Sequence, residues 1–136
     1  MELNNKVPYL KMIQDIISRM SSNSFMLKGW AVTLVAGVFA LSAKGSDSLF
    51  FLITYVPVIL FWFLDSYYLQ LERRYRMLYI RATGMKEEKI KFDLKAPKPN
   101  GSDKTTYIQS LTSHTELGFY LPLALLVAAV VIAQHA

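Results

Sequence analysis

The stretch "FWFLDSYYLQLERRYRMLYIRATG", Phe61–Gly84, decides how the rest of the chain is read. It opens with side chains suited to lipid. It then passes, with no proline or glycine before Gly84, into a helical pattern carrying Arg73, Arg74, Arg76 and Arg81. Leu64, Tyr68, Leu71, Tyr75, Leu78 and Tyr79 recur at three- and four-residue spacing, the period of one helical face. Glu72 and Arg76 stand four apart and are placed to pair. The expectation is a helix that leaves a bilayer and continues rigidly into water, stopped by Gly84.

Of the 136 residues 53% are hydrophobic, and they gather into three charge-free runs, Gly29–Ala43, Ser48–Leu64 and Leu117–Gln134. A bilayer core about 30 Å thick takes about 20 apolar residues of helix. The second and third runs reach the working range of roughly 17 to 25 residues, and the first reaches it by extending back through Ser24–Leu27 while Lys28 snorkels to the headgroups. Three transmembrane helices are expected. The first 28 residues are too mixed for a signal-peptide n-region, and "FALSA" (Phe39–Ala43) is a weak cleavage site, so the first apolar run is read as a retained helix.

The net charge of +5 is unevenly distributed. Lys6, Lys11, Arg19 and Lys28 precede the first span, ten more lysines and arginines from Arg73 to Lys104 lie between the second and third, and only Lys44 lies in the short turn Lys44–Asp47. The positive-inside rule puts the N-terminus and the large loop in the cytoplasm. Trp30 and Trp62 agree, each at an expected cytoplasmic interface.

The expected fold class is an all-α membrane protein with three transmembrane helices, a projecting second helix and a short β element. A cytoplasmic amphipathic helix occupies 1–22, with Pro8 in its first turn and Tyr9, Met12, Ile13, Ile16, Ile17 and Met20 on one face. "SSNS", Ser21–Ser24, caps or bends the entry to a transmembrane hairpin over 23–66. Small residues line the first membrane helix as Gly29, Thr33, Gly37 and as Ala36, Ala40, and the third as Ala124, Ala128 and Ala129, Ala133. Such stripes let helices approach closely in lipid and suggest a homo-oligomer. Pro57 is expected to kink the second helix in mid-bilayer. A helix–strand–loop region fills 67–116, in which Ile90, Phe92 and Leu94 alternate with Lys91, Asp93 and Lys95 as a short strand. That strand has "TTYIQ" (Thr105–Gln109) or a second subunit as its partner. Ser113–Glu116 reads as a capping box opening the third membrane helix, 117–136, with His114 a bystander in it.

The chain has no cysteine, which excludes disulfides and thiol chemistry. No metalloprotease, nucleophile-elbow or phosphate-loop motif occurs, so neither an enzyme nor a cofactor is expected. Two groups of residues remain as candidates. Arg73, Arg74, Arg76, Arg81, Lys86, Lys89 and Lys91, interleaved with Tyr75 and Tyr79, have the chemistry to hold a nucleotide or single-stranded oligonucleotide. The same charges also serve orientation and attraction to membrane lipids, at about 1 kcal/mol per basic residue. Asp65 with Glu72 would ring a pore mouth in an oligomer, with Lys28 and Asn23 nearby; alternatively Asp65 pairs with Lys28 at matching depth.

"RMSSNSFMLKGW" and "FWFLDSYYLQLER" together resemble small bacterial inner-membrane proteins with the pattern R-M-x-x-N-S-x-x-x-K-x-W followed by F-W-x-L-D-x-Y-x-L-x-x-E-R. The matching positions are Arg19, Met20, Asn23, Ser24, Lys28 and Trp30, then Phe61, Trp62, Leu64, Asp65, Tyr67, Leu69, Glu72 and Arg73. Proteins of this type resemble the effectors encoded beside nucleotidyltransferases in CBASS-like and Hailong-like phage-defence loci. The resemblance implies an oligomeric effector in the bacterial inner membrane, controlled by a nucleotide-derived ligand, that permeabilises that membrane. A non-conducting accessory subunit that scaffolds partners through the Leu64–Tyr79 seam is the alternative.

Overall fold

The chain contains few helix breakers, six glycines and five prolines in 136 residues, and its long helices run through those they contain. The computed structural model describes residues 5–42 and 52–135, and every regular element among them is helical. Helix α1 (Lys6–Ser42) runs unbroken for 37 residues, about 55 Å at roughly 1.5 Å per residue. Pro8 sits in its first turn, where a missing N–H costs nothing. The expected break at Ser21–Ser24 does not occur, because Ser24 turns inward to a buried partner and the remaining residues tolerate helix.

Helix α2 (Tyr55–Thr83) returns antiparallel to α1 and stops at Gly84, whose N–H bonds the Ile80 carbonyl at 3.3 Å. Pro57 falls in the first turn of α2 and not in mid-helix, so the expected kink is absent. Thr54, a turn residue, separates α2 from the helical residues 52–53, so the helix is not continuous from Leu49. The turn Lys44–Asp47 and the start of the second apolar run, 48–51, lie outside the described residues.

The expected strand is not formed. Glu87–Lys89 is a turn of 3-10 helix, and the segment after it pairs with no other strand among the described residues. Phe92 breaks the extended run with φ 51°, while Ile90 is buried and Leu94 half-buried against α1 and α2. Its expected partner is helical too: Thr106 and Gln109 form a reciprocal capping box at the start of the short helix α3 (Tyr107–Leu111). Helix α4 (His114–His135) follows, running antiparallel to α2, with Pro122 inside it.

Two helices, α1 over Lys6–Leu41 and α4 over His114–Ala133, are long and apolar enough to cross a membrane, which points to a membrane location. Packing falls into two apolar clusters. Ala31 and Val35 of α1, Val58 of α2 and Tyr120, Leu123 and Val127 of α4 make the lower one. The upper one, in what we call the head, joins Tyr9, Ile13 and Ile17 of α1 to Ala82 and Ile90. Tyr75, Leu78 and Tyr79 pack on this upper cluster, so that end of the seam expected on α2 takes the first turns of α1 as its partner, whereas Leu64 at the other end is exposed. Ile13 is 0% exposed at the centre of the head. Ile13→Ala is expected to cost about 2–5 kcal/mol and to speed protease cleavage of the 86–106 loop, whereas Met12→Ala, on the exposed face, leaves the cleavage rate unchanged.

Candidate functional site

Between the two apolar clusters lies a polar layer built by three helices. Ser24 and Lys28 are one helical turn apart on the inward face of α1 and therefore reach the same point. Asp65 faces them from α2, and Glu116 and Tyr120, again four apart, face them from α4. The Asp65 and Glu116 side chains are 0% exposed and that of Lys28 is 15% exposed.

The hydrogen bonds are almost fully accounted for. Lys28 Nζ donates to Asp65 Oδ2 at 2.5 Å, to Ser24 Oγ at 3.0 Å and to Glu116 Oε1 at 3.2 Å, which uses its three protons. Asp65 also accepts from the Ser24 hydroxyl and, at 3.0 Å, from the Tyr120 hydroxyl. The rings of Phe119 and Tyr120 lie with their centroids 5.9 Å from Lys28 Nζ, within cation–π range. One atom stands apart: Glu116 Oε2 is buried and has no hydrogen-bond partner. Two carboxylates thus share a single ammonium in an apolar setting.

Neighbouring contacts hold this layer in place. Ser113 Oγ accepts from the Glu116 N–H at 3.3 Å, the first half of the expected capping box, but the Glu116 carboxylate goes to Lys28 instead of closing it. Trp62 Nε1 donates to the Leu111 carbonyl at 3.0 Å, and the Tyr107 hydroxyl donates to the Phe63 carbonyl at 2.7 Å, so two bonds tie α2 to the short α3. Burial, and secondarily the Glu116 carboxylate, push the Tyr107 phenol above its ordinary pKa. Ser66, also 0% exposed, bonds back to the Trp62 carbonyl at 2.7 Å within its own helix.

Of the residues expected at a pore or gate, Lys28 and Asp65 meet as an ion pair. Glu72 is buried two turns along α2 and pairs with Arg76 at 2.9 Å. Asn23 is half-buried, and its side chain makes no hydrogen bond among the described residues. Lys28 and Glu72, with Ser21, Ser24 and Thr115, line an open cavity of about 340 Å³ on the head side of the layer.

The expected ligand-binding arginines are all engaged with their own chain. Arg73 Nη1 donates to the Lys104 carbonyl at 3.1 Å, and Arg74 Nε to the Pro97 carbonyl at 2.8 Å. Arg81 pairs with Asp103 at 3.1 Å. With the Gln70 amide on the Thr105 carbonyl at 3.1 Å, these contacts fasten the loop 97–105 along α2. Tyr75 and Tyr79 pack on the head cluster. Lys86, Lys89 and Lys91 are exposed and form no ion pair among the described residues.

No protein-family model, no curated protein and no solved structure matches this chain. Its site is therefore read from its own geometry. Sequence reading missed Glu116 and Tyr120 as members of the Lys28–Asp65 cluster. The available signal was a carboxylate and a hydroxyl four apart at the start of an apolar helix.

Removing the ammonium strands two buried carboxylates. Lys28→Met is expected to destabilise the protein by about 3–5 kcal/mol. Combining it with Asp65→Asn and Glu116→Gln is expected to restore most of that loss, measured by denaturant unfolding in detergent micelles.

Proposed function

We propose that this chain is an inner-membrane protein whose copies assemble into an ion-conducting pore, with the Lys28–Asp65–Glu116 layer acting as the latch of its gate. The observation that carries this reading is the layer itself. Charged groups among membrane helices are expensive and are retained where they mark ion pathways or moving parts. Here a single ammonium ties all three long helices together.

In the proposed topology the apolar residues of 48–64 form a third span beside α1 and α4, and the basic head lies in the cytoplasm. Assembly is supported by the outer face of α1. Gly29 and Gly37 are exposed, a Cβ at either would meet nothing within 4 Å, and Ala31 and Val35 supply the contacts within the chain instead. That leaves the Gly29–Thr33–Gly37 stripe for a second copy. Since α1 and α2 run from the head into the lower cluster, a ligand that shifts one against the other in the head strains the latch. The resemblance to defence effectors supports a nucleotide-derived ligand made by a partner nucleotidyltransferase, and membrane permeabilisation as the outcome. No bond is made or broken in this activity.

Liposomes containing the purified chain are expected to release entrapped potassium, and Lys28→Met combined with Asp65→Asn and Glu116→Gln is expected to change the open fraction without preventing assembly. Oligomers that carry no ion under any condition, with or without added nucleotides, overturn the pore and leave the alternative of an accessory membrane subunit.

A further inference from the structure

The head contains a cavity that the ionic layer does not explain. It opens between the first turns of α1, the last turns of α2 and the segment 90–95, and measures about 220 Å³. Its floor is apolar: Tyr9, Leu78, Ala82 and Ile90 line it, and three of these four are buried. Its rim is cationic. Lys91 and Lys95 flank it with no ion pair among the described residues, and Arg81 adds a guanidinium that spends one amino group on Asp103. The only carboxylate lining it is Asp93, whose Oδ1 already accepts the Lys95 backbone N–H at 2.9 Å.

The wall that carries the lysines is held in place by several contacts. The Tyr9 hydroxyl donates to the Asp93 carbonyl at 2.5 Å, the Asn5 N–H to Glu87 Oε1 at 2.8 Å, and Lys6 Nζ to the Met85 carbonyl at 2.8 Å. Phe92 has φ 51°, a left-handed value that a phenylalanine keeps only when its surroundings hold it, and its ring stands edge-on to Tyr9 at 5.3 Å. Lys91, Asp93 and Lys95 alternate along this wall and all line the cavity.

We infer that this cavity binds a small organic anion, a phosphate or carboxylate carried on a compact apolar or aromatic body. Charge and size both argue for it. The two unpaired ammoniums suit an anion, and the buried apolar floor suits a ring or short chain that inorganic ions lack. The volume lies below the roughly 300 Å³ at which drug-sized ligand sites begin, so the occupant is smaller than a dinucleotide. Ala82 stands 17 residues beyond Asp65 on α2, about 25 Å at roughly 1.5 Å per residue. With Asp65 at the membrane boundary, as the proposed topology has it, the cavity opens well beyond the headgroups and draws its anion from solution. Binding here does not rest on the pore, and it is measured without flux.

The test uses the full chain in nanodiscs of zwitterionic lipid, titrated calorimetrically with phenyl phosphate, inorganic phosphate and phenol. Saturable binding of phenyl phosphate, at least tenfold tighter than either half-probe, is expected. Lys91→Glu with Lys95→Glu should weaken it by roughly tenfold or more, the loss expected when a charged hydrogen-bond donor is removed. Lys98→Glu with Lys104→Glu, an equal charge change off the cavity, should not. Equal weakening in both variants, equal affinity for inorganic phosphate, or no saturable binding at millimolar concentration each overturns the assignment. Circular dichroism of the variants separates loss of binding from loss of fold.

Discussion

A carboxylate withdrawn from water among apolar helices must find a cation, and Asp65 finds Lys28. Much of the architecture follows from that requirement. The pair sets the register of α1 against α2, because one turn of slippage would leave the Asp65 carboxylate buried without its cation. Glu116 and Tyr120 complete the same shell and thereby set the depth of α4. Above the layer the helices pack around Ile13, and below it around Val35, Val58 and Val127. The layer joins two apolar cores that differ in character, one closed by a loop and one open along its outer face.

The second organising rule is that irregular backbone must be satisfied by side chains where no sheet is available. The loop after α2 has no strand to pair with among the described residues, and its carbonyls are met by Arg73, Arg74 and Gln70 reaching out from the helix. This answers why a helix leaving the apolar region should carry so many guanidinium groups. Arg73 and Arg74 cross to the loop and hold its carbonyls while remaining charged, and Arg81 crosses to Asp103. Lys86, Lys89, Lys91 and Lys95, which form no ion pair among the described residues, lie at the far end, on and beside the turn of 3-10 helix, which is where the cavity between Tyr9 and Lys95 opens.

Local pattern was a good guide where one helix face decides the outcome. Of the apolar face expected at the start of α1, Tyr9, Ile13 and Ile17 are buried and Ile16 and Met20 half-buried, while Met12 is exposed; Gly84 ends α2 as its position suggests. The pattern misled in the head, where alternation at Ile90, Phe92 and Leu94 resembles a strand. There Phe92 turns out at positive φ, while Ile90 is buried and Leu94 half-buried by packing on helices, with no ladder among the described residues. Thr106 and Gln109 carried the contrary signal, a capping box, within the segment read as the strand's partner.

The amino-acid order alone determined that this chain is helical, that its apolar residues form membrane-length segments and that its basic residues gather between them, since composition and period are local properties. Asp65 and Lys28 could be matched by depth, because both belong to one hairpin. Only the tertiary structure decided that Glu116 and Tyr120 join them, that Arg73, Arg74 and Arg81 bind the protein's own loop, and that α1 is a single helix from head to lower core. The reason is physical: a side chain's partner across tens of residues is chosen by where whole helices come to rest, and no local period carries that information.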